Sequence, residues 1–257
     1  MRTIGLIPAR MAASRFPGKP LVNIAGMTML EHVYRRAELY EGWHRLAVAT
    51  CDQEIREFSQ SKGFEVIDTG DHHVRALDRV AEAMDKLGED LHEDDVVVCV
   101  QGDEPLLDPG MIEAVVDPIQ QSSSVDATLL GVHVTEEEIW LNPDSVKLIS
   151  NDLGQILYTS RAPIPYAKKG FSAELMARRI GGIFAFRPNA LRAFTNHPET
   201  RLEILEACDS NRLLDMGFRQ VLAPYPAVPM YSVDSPSDVA LVEKALETDA
   251  LFQKYGR

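Results

Sequence analysis

The sequence feature that most constrains the fold is the run Val96–Val100 (VVVCV), in which five consecutive residues are apolar. A strand without polar alternation is typical of a parallel sheet that is covered on both faces. Strands are also predicted at Thr3–Pro8, Arg45–Thr50 and Glu65–Asp68. Segments with helical spacing separate these strands. The resulting β-α-β-α order predicts an α/β fold, Rossmann-like and doubly wound, with a mostly parallel sheet.

Helices are predicted from apolar spacing and from signals at their ends. Thr28 precedes a helical pattern and is followed three residues later by Glu31, which together form a capping box. The last helix is predicted to begin with Ser235 as N-cap and Pro236 in its first turn. Three further helices are predicted, at Gln53–Lys62, Asp78–Leu87 and Met111–Gln120. Pro118 is expected to disturb the end of the third, because proline donates no backbone hydrogen bond.

The pattern changes after about residue 125, where short strand-like segments follow one another with smaller helical pieces between them. These strands are predicted at Ala127–Val134, Val146–Ser150, Ile156–Thr159 and Gly182–Phe186. Such an order favours antiparallel additions to the sheet. No low-complexity linker separates this part from the rest, so a single domain over residues 1–257 is predicted.

Charge and composition exclude several classes of protein. The 257 residues carry a formal net charge of -13, which opposes general nucleic-acid binding because that requires clustered Lys and Arg. No stretch of about 18 apolar residues suggests a membrane span. The three cysteines are far apart in sequence and favour neither a disulfide framework nor a zinc site. A cytoplasmic protein without nucleic-acid or membrane partners is expected.

A basic loop directly follows the first predicted strand. The segment from Pro8 to Pro20 (PARMAASRFPGKP) places three cations among small residues at the carboxyl end of that strand. Small side chains let backbone N–H groups approach phosphate oxygens, and Arg and Lys neutralise the phosphate charge. The segment is not a Walker A loop. Phosphate binding is the favoured interpretation, and an exposed basic loop is the alternative.

Two carboxylates lie at points where a metal ion could be held beside phosphates. Asp103 follows the Val96–Val100 strand in the segment QGDEP, and Asp234 precedes the last helix in the segment SVDSP. Carboxylate oxygens are suitable ligands for Mg²⁺. The alternatives are a polar turn for the first segment and a favourable charge beside a helix N-terminus for the second.

These segments together resemble the 3-deoxy-manno-octulosonate (Kdo) cytidylyltransferases, also called CMP-Kdo synthetases. The resemblance runs in order along most of the chain, through the segments IPAR, SRFPGKPL, DRVAEA, VQGDEPLL, NPDSVKL, YTSRAPIPY and SVDSPSDV. It implies transfer of CMP from CTP to Kdo or a related 2-keto-3-deoxy sugar acid, with release of pyrophosphate, Mg²⁺ as cofactor and a homodimer. It also implies a nucleotide-binding core at 1–125, an acceptor-binding and dimerisation part at about 126–225, and a return to the core at 226–257.

The resemblance also implies roles for individual residues. Asp103 and Asp234 are expected to bind the metal, and Arg10, Lys19 and Asp103 are expected to be catalytic. Residues expected to bind the nucleotide are Pro8, Ala9, Arg10, Ser14, Arg15, Lys19, Gln101 and Asp103. Residues expected to bind the acceptor are Arg75, Gln101, Arg161, Ile180, Phe184, Asp209 and Ser210.

Departures from the family pattern cluster in segments expected near the acceptor or base. The usual H-x-S-G-T-[DE]-R is replaced from His73 by HVRALDR, so that Arg75 stands in a normally small, hydroxylated turn. The usual H-L-G-I-Y-G-Y is replaced from Ile180 by IGGIFAF, which removes an imidazole and phenolic hydroxyls. Asp209 and Ser210 stand over a usual Glu-Gln pair. The pattern leaves open Kdo, another 2-keto-3-deoxy acid, a different small acid such as a phosphonate, or a catalytically silent nucleotide- or sugar-binding module.

Overall fold

Eleven strands are found in the computed structural model, which describes residues 1–12, 16–73 and 75–256. In chain order they are β1 (Thr3–Pro8), β2 (Asn23–Ile24), β3 (Met27–Thr28), β4 (Arg45–Thr50), β5 (Glu65–Asp68), β6 (Val96–Val100), β7 (Ala127–His133), β8 (Lys147–Ser150), β9 (Ile156–Ser160), β10 (Arg178–Phe186) and β11 (Gln220–Tyr225). The short strands β2 and β3 form their own antiparallel pair, and the other nine strands form one sheet.

The main path of the large sheet has the order β11-β7-β10-β6-β1-β4-β5. Strand β1 pairs in parallel with β4 and β6, β4 with β5, and β7 with β11. Strand β10 is antiparallel to both of its neighbours in this path, β6 and β7, and it also pairs with β8, which pairs with β9. All strands of the main path except β10 therefore point the same way. The mostly parallel α/β sheet and its antiparallel additions are confirmed.

Ten α-helices surround the sheet among the described residues. They are α1 (Met29–Glu38), α2 (Gln53–Ser61), α3 (Ala76–Asp85), α4 (Pro109–Gln121), α5 (Glu137–Leu141), α6 (Pro188–Asn196), α7 (Arg201–Glu206), α8 (Asn211–Asp215), α9 (Pro236–Leu246) and α10 (Phe252–Tyr255). No helix in the described ranges has both the length and the apolar character needed to cross a membrane.

Both predicted helix starts are confirmed by their capping contacts. The Thr28 side chain accepts a hydrogen bond from the Glu31 N–H at the start of α1. At the start of α9, Ser235 and Asp238 form a reciprocal capping box and Pro236 occupies the first turn. These contacts satisfy backbone donors that have no partner within the helix.

Two predictions about helices were wrong in their details. Helix α3 begins two residues earlier than Asp78, because Arg75 is already extended at the N-cap and Asp78 falls in the first turn. Pro118 lies inside α4, which continues to Gln121, and the buried Val115 and Ile119 on either side anchor that turn to the core.

Strand β10 is longer than the predicted Gly182–Phe186 because it begins at Arg178. Its two arginines, Arg178 and Arg179, pair through their backbone with β7 on one side and β8 on the other. The apolar pattern that predicted this strand did not extend to Arg178 and Arg179, because their side chains are charged.

The hydrophobic core is divided between the two faces of the sheet. On one face α1, α2 and α4 contribute to a cluster around Val98 and Ile183, and on the other α3, α6 and α8 contribute to a cluster around Val97 and Phe186. The parallel neighbours β1 and β6 end at the same edge of the sheet, so the segments that follow Pro8 and Val100 meet there. Ligands of open α/β sheets bind at this carboxyl edge.

Candidate active site

The basic loop that follows β1 is tied at both ends by backbone contacts. The Met11 N–H donates to the Asp52 carboxylate at 2.8 Å, and the Met11 carbonyl accepts a bond from the Gly18 N–H at 3.0 Å. Gly18 has a φ of 75°, which glycine adopts without strain, and it begins the short 3-10 helix that carries Lys19. Ser14 and Arg15, both expected to bind the nucleotide, lie outside the described residues.

Lys19 lies between the two predicted metal-binding carboxylates. Its Nζ is 2.9 Å from Oδ2 of Asp103 and 3.5 Å from Oδ1 of Asp234. The two segments are also joined through the backbone, because the Val233 N–H donates to the Asp103 carbonyl at 3.0 Å. Two carboxylates that are 131 positions apart in sequence thus converge on one cationic group.

Above this edge of the sheet is a cavity of about 260 Å³, here called the loop cavity. Of the residues expected to bind the nucleotide or the metal, it is lined by Pro8, Ala9, Arg10, Lys19, Gln101, Asp103 and Asp234. Gly102 also lines it, and a side chain there would come within 2.7 Å of the Pro8 carbonyl. Glycine therefore allows the segment after β6 to lie close against the end of β1.

A second, wider cavity of about 720 Å³, here called the wide cavity, adjoins the first. It is lined by six of the seven residues expected to bind the acceptor, Arg75, Arg161, Ile180, Phe184, Asp209 and Ser210. The seventh, Gln101, lines the loop cavity instead. Arg75 lines both cavities. The structure therefore brings the predicted acceptor residues together beside the predicted nucleotide and metal residues.

The sequence profile of the family described as cytidylyltransferase matches residues 4–220 of this chain. The chain belongs to the cytidylyltransferase family.

Individual relatives agree with this assignment over almost the whole chain. A 3-deoxy-manno-octulosonate cytidylyltransferase of Nitratidesulfovibrio vulgaris is 40% identical over 240 residues, which cover 93% of each protein. An 8-amino-3,8-dideoxy-manno-octulosonate cytidylyltransferase of Shewanella pealeana is 37% identical over 245 residues, 95% of this chain and 98% of that protein. The solved structure of CMP:2-keto-3-deoxy-manno-octonic acid synthetase complexed with CTP matches with a TM-score of 0.87 at 30% identity, covering 96% and 99% of the two chains. The resemblance to the CMP-Kdo synthetases is confirmed.

Arg75 of this cytidylyltransferase contacts two acidic side chains. One Nη is 2.5 Å from Oε1 of Glu199 and the other is 3.8 Å from Oε1 of Glu203. Glu203 is buried and also pairs with Arg212, whose guanidinium is buried as well. Arg75 was expected to contact an anion, and in the described structure its anions are these protein carboxylates.

Arg161 is also held by protein groups. Its Nε donates to the Ala207 carbonyl at 3.1 Å and its Nη1 to the Pro143 carbonyl at 2.9 Å. These contacts join the segment after β9 to the end of α7 and to the segment after α5, and they orient the guanidinium along the wall of the wide cavity.

Sequence reasoning missed several ionisable groups in that wall, among them Glu104 and Arg179. Burial, together with the nearby charge of Asp103, raises the pKa of the Glu104 carboxyl to about 7, and this carboxyl accepts a hydrogen bond from Ser232. Burial lowers the pKa of the Arg179 guanidinium. Glu104 directly follows the predicted metal-binding Asp103, and this position could have indicated it as a site residue. Arg179 precedes the predicted strand Gly182–Phe186, so the strand prediction gave no indication of it.

Arg79, in the loop cavity, was also missed as a site residue. Its guanidinium is buried and donates to the Thr69 hydroxyl and, at 3.1 Å, to the Gly70 carbonyl. It thereby fixes the segment before His73, whose carbonyl accepts a bond from Arg10 at 3.4 Å. The family motif D-R at the start of α3 was the signal for this role.

Proposed function

We propose that this cytidylyltransferase transfers CMP from CTP to Kdo or a related 2-keto-3-deoxy sugar acid and releases pyrophosphate. The observation that carries the proposal is the junction of the two cavities at Arg75. The loop cavity holds cations beside converging carboxylates, which suits a metal-bound triphosphate, and the wide cavity has room for a second substrate. The names of the relatives at 40% and 37% identity support the same reaction.

The chemical task is to bring two anions together. The acceptor hydroxyl must attack the α-phosphate of CTP in line with the departing pyrophosphate, and charge accumulates on the phosphate oxygens. Arg10 and Lys19 line the cavity where these oxygens would lie, so they can offset that charge and hold the phosphates in position. Three arginines, Arg75, Arg161 and Arg179, line the wide cavity, where the acceptor carboxylate would lie.

We propose Mg²⁺ as the cofactor, held by Asp103 and Asp234. These residues fit the ion because their carboxylates, which are oxygen ligands suited to Mg²⁺, already converge on a positive charge, the Lys19 ammonium. When bound, Mg²⁺ would neutralise phosphate charge and favour deprotonation of the attacking hydroxyl. Lys19 would then be available to the phosphate oxygens.

A different acidic acceptor, such as a phosphonate, is the second candidate. The observation that favours it is the loss of family hydrogen-bonding groups at Ile180 and Phe184, both of which line the wide cavity. A site built to bond a substrate hydroxyl discriminates strongly, so losing its polar groups relaxes or changes the choice of acceptor.

The proposal also covers the division of the domain, the oligomeric state and the cellular location. We propose that residues 1–125 and 226–257 form a nucleotide-binding core and about 126–225 an acceptor-binding and dimerisation part of one domain. We propose a homodimer, which the exposed side chains of Leu153 and Leu157 on the β8–β9 hairpin support. A cytoplasmic location is supported by the free state of the three cysteines, Cys51, Cys99 and Cys208.

The test is a pyrophosphate-release screen with Mg²⁺. Each of the four nucleoside triphosphates is paired with Kdo, its 8-amino-8-deoxy analogue, other 2-keto-3-deoxy acids and small phosphonates. We expect release only with CTP and a sugar acid, and a product with the mass of the CMP conjugate. A phosphonate as the best acceptor would select the second candidate. If no pair releases pyrophosphate while CTP still binds, the protein is a silent nucleotide-binding module.

A further inference from the structure

A third cavity, of about 70 Å³, lies behind the wide cavity and is called here the inner cavity. It shares Phe184, Asp209 and Ser210 with the wide cavity, and Ala76 and Gln101 with the loop cavity. It therefore adjoins the place where both proposed substrates meet. The residues that line its deeper wall were expected to bind neither the nucleotide nor the acceptor.

That deeper wall is almost entirely apolar. The residues that line only the inner cavity are Leu77, Leu129, Phe186, Phe194, Leu213 and Gln220. The exception, Gln220, uses its amide nitrogen to donate to the Ser210 carbonyl at 2.9 Å. The four side chains of Leu129, Phe186, Phe194 and Leu213 are each at most 3% exposed, and the last three belong to the core cluster on this face of the sheet. The wall is thus a rigid part of the core.

The inner cavity lies where the sequence departs from the CMP-Kdo synthetase pattern. Phe184 and Phe186 stand at two positions where the resembling motif has tyrosines. Both phenyl rings line the inner cavity, so the change removes two hydroxyl groups from its surface or surroundings. Polar groups are retained at the boundary with the wide cavity, at Asp209 and Ser210. The substitutions have made one end of the site apolar while leaving the other end polar.

We propose that the inner cavity binds a terminal methyl group of the acceptor, so that the preferred acceptor is a 2-keto-3-deoxy sugar acid that lacks its terminal hydroxyl. This inference rests on the proposed function and specifies its substrate. A sugar acid is hydroxylated at most positions, and loss of its terminal hydroxyl leaves an apolar unit that projects from the molecule. An apolar cavity of about 150 Å³ holds benzene, so roughly half that volume suits a methyl or ethyl group.

The physical basis is the difference between burying a methyl and burying a hydroxyl. A methyl group gains free energy when it leaves water for an apolar wall, whereas a hydroxyl there loses its hydrogen bonds to water. An apolar pocket favours a substrate with a methyl group over one with a hydroxyl at that position by about 10- to 100-fold in kcat/KM. The polar side chains of Asp209 and Ser210 can form hydrogen bonds with the remaining hydroxyls of the acceptor.

The experiment compares Kdo with 3,8-dideoxy-manno-octulosonate, its methyl-terminated analogue, using CTP, Mg²⁺ and pyrophosphate release. For the wild-type protein we expect kcat/KM to be at least about 10-fold higher with the methyl-terminated acid. Phe184→Tyr returns a hydroxyl to the cavity wall and should reduce this preference by about 10-fold. Phe218→Tyr is the matched control, because Phe218 packs on the same core cluster but does not line the inner cavity, and it should keep the wild-type preference.

The outcomes separate this inference from the proposed function. If wild-type protein uses Kdo as well as or better than the methyl-terminated acid, the reaction stands and the methyl site is overturned. If neither acid nor any other sugar acid yields pyrophosphate with CTP, the proposed function fails and the inference fails with it. The comparison of acceptors on wild-type protein requires no variant, so it decides the question even if Phe184→Tyr does not fold.

Discussion

At the scale of single residues, the contact of Lys19 with both Asp103 and Asp234 is the most informative feature of the site. Two carboxylates that face the same point repel each other unless a positive charge lies between them. The Lys19 ammonium supplies that charge in the described structure. The same arrangement can accept a divalent ion when a triphosphate brings further negative charge to the loop cavity.

We therefore expect Asp103→Asn and Asp234→Asn each to reduce turnover at least about 100-fold, or roughly 2.7 kcal/mol of transition-state stabilisation. The amide keeps the shape of the side chain but removes the charge that would bind Mg²⁺. Pyrophosphate release is measured over a Mg²⁺ titration, with the exposed Asp152→Asn as control. Near-wild-type turnover of either variant at limiting Mg²⁺ would exclude that residue from the metal site.

Arg75 carries a second prediction at this scale. Arg75→Ala should lower kcat/KM for the best acceptor about 10- to 150-fold, because a charge-assisted hydrogen bond to the acceptor anion contributes about 1.5–3 kcal/mol. The measurement varies the acceptor at saturating CTP. Arg75→Lys keeps the charge but not the planar fork, and should recover only part of the loss. Unchanged acceptor kinetics in Arg75→Ala would show that Arg75 does not bind the acceptor and only forms ion pairs with Glu199 and Glu203.

Residues within a recognisable motif could be predicted from sequence, whereas residues that reach the site through strand pairing could not. Arg10, Lys19, Asp103 and Asp234 belong to segments that resemble the family, and all four line the loop cavity. Arg179 lines the wide cavity because β10 pairs with β7 and β8 at that residue. The register of two strands distant in sequence leaves no signal in the spacing of a single strand.

At the scale of elements, helix α9 controls the position of Asp234. The Asp238 carboxylate accepts bonds from the Asp234 N–H at 2.9 Å and from the Ser235 N–H at 2.7 Å. The capping box therefore does more than begin a helix, because it also holds the backbone of a predicted metal ligand.

Asp238→Ala should weaken both the helix and the metal site. Loss of a capping side chain costs about 1 kcal/mol of stability, and the freed backbone at Asp234 should raise the Mg²⁺ concentration required for half-maximal turnover. Urea unfolding measures the first effect and a Mg²⁺ titration of pyrophosphate release the second. Glu247→Ala, at the opposite end of the same helix, is the control. A variant that loses stability but keeps the wild-type Mg²⁺ requirement would show that the cap does not position Asp234.

Helix α3 carries a prediction about pH through Glu82. Burial opposes ionisation of this carboxyl, but bonds from Lys86, the Gly70 N–H and His73 outweigh it and lower its pKa to about 2. Because the folded-state pKa lies below the ordinary value of 4.5, the ionised group stabilises the fold above about pH 4.5. That stabilisation is lost as the pH falls from 4.5 towards 2.

Glu82→Gln should thus have a lower free energy of unfolding than wild type at pH 7, and the difference should diminish below about pH 4.5. Urea unfolding at pH 7, 5 and 3 measures it. Glu57→Gln, an exposed residue on α2, is the control and should show no such trend. A difference between Glu82→Gln and wild type that is the same at all three pH values would show that the carboxylate charge is not its cause.

At the scale of the whole molecule, the fold class could be predicted from the alternation of apolar runs, but the order of the strands could not. Consecutive strands of a sheet are usually neighbours. Here β10 lies antiparallel between β6 and β7, although it follows both in sequence. This insertion brings Ile183 and Phe184 next to the end of β6, and so joins the wide cavity to the edge where the loop cavity lies.

The β8–β9 hairpin carries the prediction about assembly. Leu153 at its turn is 78% exposed and Leu157 on β9 is 55% exposed, in the part of the chain proposed for dimerisation. Apolar side chains grouped on one surface are typical of a protein interface. A twofold dimer would bury the same hairpin of both copies, because the two subunits contribute the same surface.

We expect the wild-type protein to sediment as a dimer at micromolar concentration, and the double variant Leu153→Lys/Leu157→Lys to sediment as a monomer. Lysine at both positions places like charges opposite each other across the twofold axis and removes apolar area from the interface. Leu241→Lys is the matched control, because Leu241 is also exposed, at 49%, but lies on α9. Sedimentation equilibrium at several concentrations provides the association constant. A double variant that remains dimeric would move the interface away from this hairpin, and a monomeric wild type would exclude the homodimer.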